Sequence, residues 1–151
     1  MRILLDTNIL TRIVNHANPD LRDKAEAALT ATRNAGRIPC LVPQNLYEFW
    51  SVATRPVTSN GLGMSPQQAR DEVDELLPLF PLLRDERSIF EHWLTLVTNH
   101  IVSGRPSHDA RLVAAMIRHG ITHLLTFNPS DFKRFTQIVV VSSDAAIAGT
   151  A

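Results

Sequence analysis

The chain has a single cysteine, Cys40, in 151 residues. No intrachain disulfide is open to it, which fits a reducing cytosol and an expectation of a cytoplasmic protein. It has no surplus charge either. Lys and Arg total 15 and Asp and Glu total 15, so overall charge supplies no long-range pull toward nucleic acid or an acidic membrane. Binding a polyanion would need a local basic patch or a metal ion. No apolar run approaches the roughly 20 residues that span a bilayer. The N-terminus is not expected to be a signal peptide, because Asp6 interrupts the first apolar stretch almost at once. A Gly-rich phosphate loop is missing, which argues against P-loop and dinucleotide-binding readings. There is no internal repeat and no low-complexity segment.

What is present is ordinary globular composition, with 44% hydrophobic and 20% charged residues. The length suits one domain with a sizeable core. Short apolar runs alternate with helical patterns. Strands are expected at Arg2–Leu5, in "RIPCLVP", in "HLLTF" and in "QIVVVS", with "FPLLR" as a further candidate. Helices are expected after Asp6, over "NPDLRDKAEAALTATRNAG" up to Gly36, over "PQNLYEFWSVATR", over "SPQQARDEVDELLPLF" capped by Ser65, over "DERSIFEHWLTLVTNHIV", and over "HDARLVAAMIRHG" up to Gly120. "PVTSNGLGM" reads as a flexible loop. The alternation predicts an α/β fold, a parallel sheet with helices on both faces. Residues 1–144 form the domain, and 145–151 read as a loose C-terminal tail.

In an open parallel sheet, ligands bind beyond the carboxyl ends of the strands. Asp6 follows the first strand directly, Asn128 and Asp131 follow "HLLTF", Glu48 lies one turn into the helix after "CLV", and Asp109 opens the helix after "GRPS". Each has an ordinary explanation. Asp6 suits a helix cap. Glu48 lies off the Leu46/Phe49/Trp50 stripe and so reads as solvated. Asp131 suits a turn. Asp109 is more telling, because it shares a helix face with Leu112, Val113 and Met116. Brought together, such carboxylates repel, and one or more is driven neutral unless a cation sits among them. Oxygen donors suit Mg²⁺ or Mn²⁺. Of six histidines, His16, His108 and His123 are expected near this edge, and none is assigned a metal. A divalent ion in such a cleft lowers the pKa of bound water and bridges phosphate oxygens, which is the chemistry of phosphodiester hydrolysis. Arg55, Arg105, Arg111, Lys133 and Arg134 are candidate backbone contacts.

In "LLDTNIL", "VPQNLYEFWSVATRP", "HDARLVAAMIRHGITHLLTFNPSDFKRF" and the closing "IVVVS", in that order, the sequence resembles the PIN-domain family, and within it the VapC-type toxins of bacterial toxin–antitoxin pairs. The resemblance implies a three-layer α/β/α domain with a central parallel sheet. It also implies Mg²⁺-dependent cleavage of RNA, with Mn²⁺ as a substitute, restrained by a cognate antitoxin, and a homodimer. It places the family's acids at Asp6, Glu48 and Asp109. The fourth falls at Asp131, with the amide Asn128 at the other acidic position, and Thr7, Asn8 and Thr126 are polar neighbours that orient ligands or waters. "AEAALTA" and "LYEFWSVA" are candidate walls of an antitoxin groove. Two rivals use an Asp after a strand. A phosphatase wants a second acid where Asn8 stands, and a receiver domain wants a Lys after a late strand, which "HLLTFN" does not offer. A non-catalytic RNA- or protein-binding module of the same fold remains the alternative from another class.

Overall fold

The computed structural model describes residues 1–150. Four strands, β1 (Arg2–Leu5), β2 (Ile38–Cys40), β3 (His123–Thr126) and β4 (Val139–Ser142), form one sheet in the order β2-β1-β3-β4, every pair parallel. Seven helices are described: α1 (Thr7–Ile13), α2 (Pro19–Asn34), α3 (Pro43–Thr54), α4 (Pro66–Leu76), α5 (Ser88–Asn99), α6 (Pro106–His119) and α7 (Ser143–Ala148).

Strand alternation sorts the core into two halves. Ile3 and Leu5 of β1, with Leu125 and Val141, pack against α1, α2, α3, α4 and α7 around Phe49 and Phe80. Leu4, with Cys40 and Leu124, packs against α5 and α6 around Met116, Phe132 and Phe135. The result is the expected α/β/α sandwich, and among the described residues no helix is long and apolar enough to cross a membrane.

Three local expectations need correction. "FPLLR" is not a strand. It makes one parallel bridge, Leu82 to Leu41, through Leu41 N–H to Pro81 C=O (2.9 Å) and Leu83 N–H to Leu41 C=O (2.8 Å). Pro78 and Pro81 bring no N–H to extend a ladder. "PVTSNGLGM" is tied down rather than loose. The N–H groups of Leu62, Gly63 and Met64 donate to the carbonyls of Val52, Arg55 and Ala53, so the loop satisfies the acceptors that α3 leaves open at its end. Gly61 allows this fold-back, because a Cβ there would collide with the Arg55 carbonyl. The tail expected over 145–151 is helical from Ala145 to Ala148. Ser142 Oγ accepts the Ala145 N–H, Ala146 is buried, and Lys24 Nζ of α2 meets Asp144 at 2.7 Å. Ala151 lies outside the described residues.

The end of α5 is unusual. Val102 N–H donates to Val97 C=O (2.9 Å) across Ile101, whose φ is 50°. The equivalent reversals after α2 and α6 are made at Gly36 and Gly120. A β-branched residue in the left-handed region costs about 1–2 kcal/mol, and Ile101 recovers little by burial, being 84% exposed. Ile101→Gly is therefore expected to stabilise the protein, raising its thermal midpoint by a few degrees. An unchanged or lower midpoint in differential scanning calorimetry would count against this account.

Candidate active site

The chain runs from β1 outward to β2 and later returns to β3 on the other side of β1. That reversal opens a crevice beyond the carboxyl ends of β1 and β3. The register shows what faces it. Cys40, Leu4, Leu124 and Val140 stand in one row across the sheet, and Leu5, Leu125 and Val141 in the next. One step further the chain turns polar, at Asp6, Thr126 and Ser142. Asp6 N–H continues the ladder by donating to Leu125 C=O at 2.9 Å.

Asp6 is both a helix cap and a wall of this crevice. Its Oδ1 accepts the Thr7 N–H and its Oδ2 accepts the Thr126 hydroxyl, each at 2.7 Å. Thr126 Oγ1 in turn accepts the Asn128 N–H (3.0 Å) and the Asn8 side-chain amide (3.4 Å), while Asn8 Oδ1 accepts the Phe127 N–H (3.3 Å). Asn128 thus contributes its main chain, and its side chain is exposed. Glu48 is half-buried, contrary to its expected solvation, because the Thr7 hydroxyl donates to its Oε1 at 2.8 Å.

Behind Thr7 stands Asn45, wholly buried. Its amide donates to Leu5 C=O (2.9 Å) and Thr7 Oγ1 (3.3 Å), and its Oδ1 accepts the Val42 N–H (2.9 Å). This residue ties the end of β1 to the start of α3, and the sequence reading missed its role. The available signal was an amide three residues after Val42, which has no side-chain acceptor with which to cap α3. Gln44 was missed as well. It donates to His108 C=O (2.8 Å) and joins α3 to α6.

Glu48, Asp109 and Asp131 line one cleft of about 340 Å³ with Arg105, Pro106 and His108. Asp109 sits in the first turn of α6, and Asp131 in the 3₁₀ turn Pro129–Phe132 after β3. Burial pushes the Asp6 carboxyl up to about 6; the charges of Glu48 and Asp131 add to this, and the bonds from Thr126 and Thr7 oppose it. Asp109 is pushed up to about 7, first by burial and then by the charges of Asp6, Asp131 and Glu48, with Arg134 pulling the other way. Asp6 and Asp109 therefore both feel the charges of Glu48 and Asp131, although the four acids come from four separate stretches of chain.

Among the described residues, none of these four carboxylates is held in an ion pair. Converging acids with no ion-paired base among the described residues form an oxygen donor set that suits a hard divalent cation. No three acidic, imidazole or thiol groups among the described residues stand close enough to form a ready-made cage. Mg²⁺ does not require one, since it is commonly held by one or two carboxylates with the rest of its shell water.

The other expected neighbours divide. Arg105 and His108 line the cleft. Arg111 is held by Asp85 (3.2 Å) and Gln44 (3.1 Å). Arg55 ends α3, and Lys133 follows the turn that carries Asp131. His123 opens β3 and so lies at the opposite edge of the sheet, and His16 is exposed, 3.5 Å from Glu72. The α2 segment "AEAALTA" supplies Ala25, Ala28 and Leu29 to the interior rather than to a groove, whereas Leu46, Tyr47 and Trp50 of "LYEFWSVA" line a surface depression with Val73.

An α/β/α domain whose switch-point crevice is walled by unpaired carboxylates is the class that fold and cleft define. A family model described as the PIN domain matches residues 3–138. The chain belongs to the PIN-domain family. A search of curated proteins finds no match. Solved structures share the fold at low sequence identity. VapBC2 from Rickettsia felis, bound to a DNA fragment from its promoter, is 17% identical with a TM-score of 0.69, covering 94% of this chain and 98% of that one. VapBC-1 from nontypeable Haemophilus influenzae is 15% identical with a TM-score of 0.69, covering 95% and 99%. DNA-bound VapBC from Salmonella typhimurium is 16% identical with a TM-score of 0.66, covering 95% and 98%.

Proposed function

We propose that this PIN domain is a metal-dependent endoribonuclease and the toxin of a toxin–antitoxin pair, with RNA as substrate and a cognate antitoxin as partner. The observation that carries the reading is that Glu48, Asp109 and Asp131 line one cleft at the sheet's switch point, where Asp6 ends β1, with none of the four ion-paired among the described residues. The fold shared with VapBC complexes supports the antitoxin. A homodimer and a cytoplasmic site of action belong to the same reading.

Asp6 and Asp109 would hold Mg²⁺ (or Mn²⁺), with Glu48 and Asp131 completing the set directly or through water. When bound, the cation would offset the site's repulsion of the phosphate, polarise it and lower the pKa of water. The chain's own residues do the positioning. Thr126 and the Thr7 N–H fix both oxygens of Asp6, leaving one lone-pair direction of each carboxylate oxygen free. Thr7 and Asn45 hold Glu48 against α1, where it can accept a proton from water. Arg105 and Arg134 offset charge on the RNA backbone at the cleft.

The test is cleavage of RNA by the purified chain with Mg²⁺, with EDTA, and with Mg²⁺ restored. Loss on chelation and recovery on restoration are expected. Cleavage that persists in EDTA would overturn the metal-dependent reading, and no cleavage under any condition would favour a non-catalytic module.

A further inference from the structure

Tyr47, the chain's one tyrosine, stands next to Glu48 on α3 and is 64% exposed. It lines a second depression, of about 360 Å³, with Gln44, Glu48, Ser51, His108 and Arg111. Glu48 and His108 also line the acid cleft, so the two depressions adjoin. The floor of the second is fixed. Gln44 is buried, donates to the His108 carbonyl and accepts from Arg111 Nη1 at 3.1 Å, while Arg111 Nη2 is met by Asp85 at 3.2 Å.

This chemistry differs from that of the acid cleft. The one cation of strong charge, Arg111, already has its carboxylate, which makes the depression a poor phosphate site. Beside the Glu48 carboxylate that it shares with the acid cleft, the depression offers an exposed aromatic ring, a guanidinium fixed by Gln44 and Asp85, an imidazole and a hydroxyl. Unpaired bases are bound by such groups, through stacking and edge hydrogen bonds. We propose that this depression is a nucleobase subsite, which takes the unpaired base next to the phosphate held at the acid cleft and stacks it on Tyr47. The inference rests on the nuclease reading above. A base inside a duplex is stacked on both faces and does not fit, so the subsite selects single-stranded RNA. Tyr47 also borders the apolar depression with Leu46, Trp50 and Val73, which shares no residue with the acid cleft. That depression is the alternative surface for Tyr47, through a protein partner.

The experiment uses a labelled single-stranded RNA and a set of the same RNA with one abasic position moved along it. Wild type, Tyr47→Ala and Tyr47→Phe are compared for equilibrium binding with Ca²⁺ in place of Mg²⁺, and for cleavage with Mg²⁺. At one position beside the cleaved bond, the abasic change is expected to weaken wild-type binding roughly tenfold. It should have the same effect on Tyr47→Phe and almost none on Tyr47→Ala. An equal abasic penalty in wild type and Tyr47→Ala would overturn the subsite while leaving cleavage, and so the nuclease reading, intact. Coupling to Tyr47 in binding without any cleavage would support the subsite and overturn the nuclease. Should Tyr47→Ala bind and cleave every RNA of the set as the wild type does, the ring serves the apolar depression and a protein partner, and the subsite is wrong.

Discussion

Asp109→Asn is expected to abolish metal-dependent RNA cleavage and, in the same preparation, to stabilise the metal-free protein at pH 8. The two effects share one cause. Asp109 opens α6 in a half-buried position, and the charges of Asp6, Asp131 and Glu48 reach it. An amide of the same shape removes the repulsion and the desolvation cost together. It also removes a negative oxygen donor, which a hard cation needs. The loss of activity should exceed the roughly 10–100-fold that follows from disturbing groups one shell out from a metal. The stabilisation should shrink toward pH 5, where Asp109, with its carboxyl at about 7, is already protonated in the wild type. Wild-type cleavage by Asp109→Asn would remove this residue from the site. A lower thermal midpoint at pH 8 would show that its charge is answered by something else.

The wild type without metal should lose stability as pH rises from about 4 to about 7. Asp6 ionises at about 6 when folded and at 3.8 in its ordinary state, so between those values the folded protein binds more protons than the unfolded chain, and stability falls with rising pH. For Asp6, which is 9% exposed, the difference corresponds to about 3 kcal/mol once both states are ionised. Asp109 carries the decline on toward pH 7. A bound divalent cation favours the ionised forms, so Mg²⁺ or Mn²⁺ should raise the thermal midpoint much more at pH 8 than at pH 5. The check is a calorimetric series over pH with EDTA and with metal. A flat metal-free profile between pH 4 and 7, or an equal metal effect at both pH values, would contradict the proposed role of the acids.

Much of this arrangement was legible because it is local. The run Arg2–Leu5 followed by Asp6 gives a strand with a carboxylate at its end, and helical periodicity puts Asp109 beside Leu112 and Val113. What failed depends on distant chain. Glu48 lies off the apolar stripe of its helix and reads as solvated, yet a hydroxyl 41 positions away holds it half-buried. The segment after Arg55 is rich in Gly, Ser and Asn and reads as flexible, but its N–H groups are used by the carbonyls that end α3. The short helix α7 had its signals, with Ser142 before it and Gly149 after it, but six residues are too few for periodicity to show. The pairing of α3 with α6 through Gln44 had no local signal.

The two-sided core has a mechanical consequence. Asp6 and Glu48 ride on elements packed in one half of the molecule, Asp109 and Asp131 on elements packed in the other. The crevice therefore lies where helices from both faces of the one sheet meet, and Gln44 ties α3 to α6 across it. A cation held there would join side chains carried by the two faces, adding a cross-link between helices that the sheet alone connects.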